Sequence, residues 1–76
     1  MDGGVKLTAQ DIARELMIDA RHVRVEEFRE LSTDSQFIGI KVSRDSDQRW
    51  RGWRQPIGTT TLPSETLADM QMWVKS

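Results

Sequence analysis

The sequence predicts a small α+β domain, with a helix-turn-helix at the front, a β-hairpin in the middle and one helix at the end. Three observations carry this. Residues 6–24 hold two helix-capping signals around an apolar stripe at helical spacing, residues 37–44 alternate between apolar and small or polar side chains, and residues 64–75 return to a helical period. With 76 residues the chain is read as one domain, 1–76. A chain of this size buries only about 60% of the surface it exposes when unfolded, so all elements must share one small core.

Taken in order, residues 1–5 predict a frayed start, since two glycines precede the first apolar anchor, Val5. Thr8 can cap a first helix, with Asp11 three residues on reaching back, a Thr-x-x-Asp variant of the capping box. Ala9, Ile12, Ala13 and Leu16 then form one apolar stripe, with Gln10, Asp11, Arg14 and Glu15 turned outward. Ile18 plugs the turn. Asp19 can accept from the free N–H groups of a following helix and favours its positive dipole end, which predicts a second helix over residues 20–31. The same residues also read as a strand, with Val23 and Val25 on one face, but the helix-favouring run over 26–31 points to helix.

Residues 32–35 are a loop by composition. Residues 37–44 form a strand in which Ile38, Ile40 and Val42 share the buried side, and Asp45-Ser46-Asp47 turns the chain back into residues 48–54. Trp50 and Trp53 differ in parity; a bulge at Gly52 would bring them together, and Trp50 or Trp53 is expected in one core with Leu16, Ile38, Ile40 and Trp73. Pro56 and Gly58 end the hairpin, residues 59–63 read as an extended connector, and Ser64 can cap a last helix whose stripe is Leu67, Met70 and Val74 with Trp73 at its flank.

Ile12, Ala13, Leu16, Ile18 and Val23 stand at the spacing of the helix-turn-helix signature, Ala13 being the small residue that lets the second helix cross the first closely. Followed by a basic hairpin and a Trp-containing helix, the pattern resembles the excisionase and MerR-type winged helix-turn-helix group over most of residues 6–75. It departs at Met17, where the turn commonly has Gly, and at Glu26 and Glu27, where recognition helices usually carry apolar or basic residues. The resemblance implies a small DNA-binding accessory or regulatory protein, such as an excisionase-like factor or a phage or plasmid regulator. Its helix 20–31 would enter the major groove of double-stranded DNA and its hairpin 37–54 would clasp the adjacent backbone. Copies would self-associate side by side on the DNA.

Net charge is −1, from 11 Lys and Arg against 12 Asp and Glu, which argues against wholesale electrostatic binding. Its distribution is uneven. Residues 37–54 carry Lys41, Arg44, Arg49, Arg51 and Arg54 against Asp45 and Asp47. The expected DNA contacts are therefore these five for phosphate, and Arg21, His22 and Arg24 at the start of the second helix for base edges. The bland alternative pairs the latter with Glu26, Glu27 and Glu30 and treats the tryptophans as core.

Cysteine is absent and His22 is the lone histidine, so no metal site or other cofactor is expected. Asp45-Ser46-Asp47 lacks the glycine and closing glutamate of a calcium loop. No serine stands beside a base and no glycine-rich phosphate loop follows a strand, so an enzyme is not expected. The apolar runs are too short to span a membrane and the acidic first residues do not read as a signal peptide, which together predict a cytoplasmic protein. The rival architecture is an α-β-β-β-α module with a three-stranded antiparallel sheet, formed if residues 23–31 are a strand. Its sheet or a helix face would bind another protein, as a phage-encoded inhibitor of a host factor would.

Overall fold

The structure is a computed structural model that describes residues 4–76. In chain order it has β1 (Val5–Lys6), α1 (Ala9–Leu16), a 3-10 turn (Ala20–His22), β2 (Val23–Glu30), β3 (Ser35–Ser43), β4 (Trp50–Pro56), β5 (Thr61–Leu62) and α2 (Ser64–Lys75). The three long strands form an antiparallel meander in the order β2-β3-β4, and β1 pairs with β5 as a separate short ladder. The architecture is thus α+β in its α-β-β-β-α form. No described helix is long and apolar enough to cross a membrane.

The first helix starts and stops as its residues require. Thr8 Oγ1 accepts from the Asp11 N–H at 3.1 Å and donates to the Asp11 carboxylate at 2.6 Å, closing the capping box through the side chain. Ile12, Ala13 and Leu16 are buried. At the far end Met17 takes the left-handed conformation at φ 60°, while Ile18 N–H reaches Ala13 C=O at 3.0 Å and Met17 N–H reaches Arg14 C=O at 3.2 Å, a Schellman ending. Met17 therefore does the backbone work for which glycine is the usual choice.

The expected helix over residues 20–31 is absent. Asp19 caps only the 3-10 turn, accepting from Arg21 N–H at 2.9 Å, and Val23 is already extended at φ −127°. Helix propensity in residues 26–31 loses to tertiary pairing: as a strand, Val23 and Val25 lie opposite Val42 and Ile40 and extend the core across β3. Leu31, the last residue of the expected helix, sits in the β2–β3 turn and is exposed.

Three smaller expectations change as well. The β3–β4 register runs unbroken through Lys41↔Gly52 and Ile40↔Trp53, so there is no bulge at Gly52 and the tryptophans lie on opposite faces. Trp53 packs against the core, whereas Trp50 is 43% exposed. Ser64 is the first helical residue and the cap position falls to Pro63, which offers no side-chain acceptor. Val5 pairs with Leu62 in the β1–β5 ladder, where a frayed start was expected up to residue 5; residues 1–3 of that stretch lie outside the described residues.

The core lies on one side of the meander. Ile12, Ala13 and Leu16 of α1 and Met70 of α2 meet Val23, Ile38, Ile40 and Val42 from the sheet and Leu62 from β5. Leu67, Trp73 and Val74 close it from α2. Replacing Ile40, fully buried at the sheet centre, with Ala should cost about 2–5 kcal/mol in urea unfolding. Trp50→Ala should stay within about 1 kcal/mol of the parent. Equal losses from the two would contradict the assignment of Trp50 to the open face.

Candidate functional site

Because side chains alternate along a strand, the register that buries Val23, Val25, Ile38, Ile40 and Val42 sends a second set to the other face of the sheet. That set is Arg24, Glu26, Phe28 and Glu30 on β2, Ser35, Phe37, Gly39, Lys41 and Ser43 on β3, and Trp50, Gly52, Arg54 and Pro56 on β4. The core cluster draws no side chain from this set, and the face stays open. It carries three cations against two carboxylates, of which Glu30 lies 3.9 Å from Arg54.

Each cation lies against an aromatic ring. Arg24 sits 4.9 Å from the Trp50 ring centre, reaching across β3, Lys41 lies 5.7 Å from Phe28 and Arg54 lies 4.4 Å from Phe37. The two phenylalanines stack at 5.6 Å with planes 22° apart. At these distances the ring quadrupoles hold the cations while leaving Arg24, Lys41 and Arg54 exposed to solvent. The product is a flat aromatic lane with cations resting on it.

The remaining basic residues named from sequence are placed elsewhere. Arg51 points to the helix side, 3.3 Å from Asp69 of α2 and 5.1 Å from the Trp53 ring. Asp69 also accepts from Trp53 Nε1 at 2.9 Å, so one carboxylate anchors α2 to β4 through both. Arg44 holds Asp47 with two hydrogen bonds at 2.9 and 2.6 Å, donates to Ser76 Oγ and lies 4.0 Å from the Trp73 ring. Arg49 closes the β3–β4 turn through its backbone, its C=O accepting from Arg44 N–H at 3.1 Å and its N–H donating to Asp47 at 3.2 Å. Arg44 and Arg51 thus contact α2, on the side of the sheet away from Arg24, Lys41 and Arg54.

Arg21 and His22 sit on the 3-10 turn at one end of the sheet. His22, expected from sequence to reach base edges, has a side chain only 12% exposed, with Asp45 2.8 Å from Nε2 and Ser43 Oγ 2.8 Å from Nδ1. Arg21 Nε also lies 3.4 Å from Nε2, but a nitrogen donating its proton to Asp45 cannot accept another, and the shorter contact wins. A serine does therefore stand beside the one base, which the sequence did not suggest because 21 residues separate them. Ser43 is 4% exposed, so its hydroxyl is closed to a substrate, and the exposed end of the chain of bonds is Asp45. The array ties the turn before β2 to the end of β3. No cluster of metal-ligating side chains occurs among the described residues.

The Arg44 hydrogen bonds, with the Arg49 N–H adding to them, hold the Asp47 carboxyl down to about 2 from an ordinary value of 3.8. A depressed folded-state value means that the stabilisation is fully present above about pH 4 and fades as pH falls toward 2. Asp47→Asn should therefore melt below the parent at neutral pH, and the gap should close between about pH 4 and pH 2 in thermal unfolding.

No protein-family model matches the chain, and comparison with curated proteins and with solved structures finds no match to it.

Proposed function

We propose that this protein binds nucleic acid on the open face of its three-stranded sheet, using the surface where an earlier element of the chain was expected to supply a recognition helix. The single observation that carries the reading is the gathering of Arg24, Lys41 and Arg54, each 17 or 13 residues from the next, onto one exposed face with Trp50, Phe28 and Phe37 between them. Cations on this face supply the sequence-independent phosphate attraction, and rings among them supply contact to bases or sugars. The overall charge of −1 keeps the rest of the surface from competing for phosphate. A role as a DNA-binding accessory or regulator is retained in this reading with a sheet as the binding element.

A protein partner is the second reading. It draws on the outer edges of β2 and β4, which pair with no described strand and offer backbone groups to an extended segment.

Labelled oligonucleotide, single-stranded and duplex, is titrated at two ionic strengths. Affinity should fall with salt by roughly 0.7–0.9 per phosphate contact on a log-log plot, and Arg24→Ala, Lys41→Ala and Arg54→Ala should each lower that slope by about one. Arg51→Ala should leave the slope unchanged and lower the melting temperature. Absence of any complex at low salt, with either form, overturns the nucleic-acid reading and favours the protein partner.

A further inference from the structure

Resting on the nucleic-acid reading above, we infer that the open face takes a single strand, with one base stacked on Trp50 and another seated in a dent over Gly52. The shape of the face decides against entry into a duplex groove. A sheet that reads a groove must present a ridge of side chains to the base edges. Here the ridge is missing at its centre. Gly39 and Gly52 are diagonal neighbours on β3 and β4, and Lys41 and Arg54 beside them rest against the Phe28 and Phe37 rings.

At Gly39 the Phe28 ring occupies the place of a side chain: a β-carbon there would lie 2.5 Å from Phe28 Cε2. At Gly52 nothing fills the space, since a β-carbon would meet no atom nearer than 3.9 Å. Between them opens a dent of about 330 Å³ walled by Phe28, Phe37, Lys41 and Arg54. Gly39 is covered by the Phe28 ring, so Gly52 alone leaves the backbone open to a planar ring. A duplex hides the faces of its bases in the stack, whereas a single strand presents them.

Trp50 provides the second platform. Of the three tryptophans, Trp53 donates its indole N–H to Asp69 and Trp73 donates to the Val42 carbonyl at 3.1 Å. Trp50 has no such bond among the described residues and is 43% exposed. Arg24 rests on its ring, and Lys41 and Arg54 stand beside the dent, so a strand laid from Trp50 toward Arg54 meets a cation at each step. That path spans four strand rises, about 13 Å, enough for two or three nucleotides. Glu26 lies on β2 away from the path and Glu30 reaches within 3.9 Å of Arg54, so a phosphate at that end competes with one carboxylate.

The test uses labelled oligo(dT) of about 12 nucleotides, within the range of single-strand sites, oligo(U) of the same length, and the oligo(dA)·oligo(dT) duplex, all with the full chain at matched salt. Single strands should bind about tenfold or more tightly than the duplex and quench tryptophan emission. Trp50→Ala should weaken single-strand binding about tenfold and abolish the quench, while Trp50→Phe keeps most of the affinity. Gly52→Val, which fills the dent with a strand-favouring side chain, should weaken binding similarly with the fold intact by circular dichroism. Duplex binding as tight as or tighter than single-strand binding overturns this inference and leaves the nucleic-acid reading standing. Single-strand binding indifferent to both Trp50→Ala and Gly52→Val likewise overturns it. No binding to any of the three removes both.

Discussion

The pairing of Val23 and Val25 with Val42 and Ile40 decides which way every charged residue of the sheet faces. Period-two alternation admits no partial solution: a slip of one residue would bury Arg24 and Lys41 and expose the valines. With the register fixed by burial, Arg24, Lys41 and Arg54 must lie together, and Phe28, Phe37 and Trp50 must lie among them. The same pairing supplies the middle of the core, so the binding face and the fold depend on one set of contacts.

The charges left over are used to hold that sheet to its helices and turns. Arg44 clamps Asp47 and covers Trp73, Arg51 meets Asp69 beside Trp53, and His22 bridges Ser43 and Asp45. Each of these joins segments that the small apolar core alone would hold weakly. The basic segment of the sequence therefore divides by function. On β4 Arg51 serves the helix side and Arg54 the open face, where Lys41 of β3 joins it, and the turn arginines keep the hairpin closed.

Much of this was legible where the signal was local. The Thr8 cap, the Ile12-Ala13-Leu16 stripe, the Ile38-Ile40-Val42 alternation and the Leu67-Met70-Val74 stripe depend on neighbours within a few residues, and the structure has them all. Residues 20–31 were misread because their local preferences favour helix, whereas what decides them is a strand partner beginning at Ser35. Asp19 added to the error, since a cap on a 3-10 turn looks the same in sequence as a cap on a helix. Trp50 and Trp53 carried the correct information in their parity, and the proposed bulge at Gly52 discarded it. The candidate basic residues were named but not sorted, because sorting requires the register. The contact of His22 with Ser43 joins the turn before β2 to the end of β3 and left no trace in spacing.

The central claim is that the face bearing Trp50, Gly52 and Lys41 is where a ligand sits. The three indole N–H resonances report on it directly, since Trp53 and Trp73 are bonded on the helix side and Trp50 lies on the open side. In a nitrogen-proton correlation spectrum titrated with oligo(dT), the account predicts that the Trp50 indole and the Gly39, Lys41 and Gly52 amides move while the Trp53 and Trp73 indoles stay. Movement of the Trp53 and Trp73 indoles or the α1 amides, with Trp50 unmoved, would contradict it.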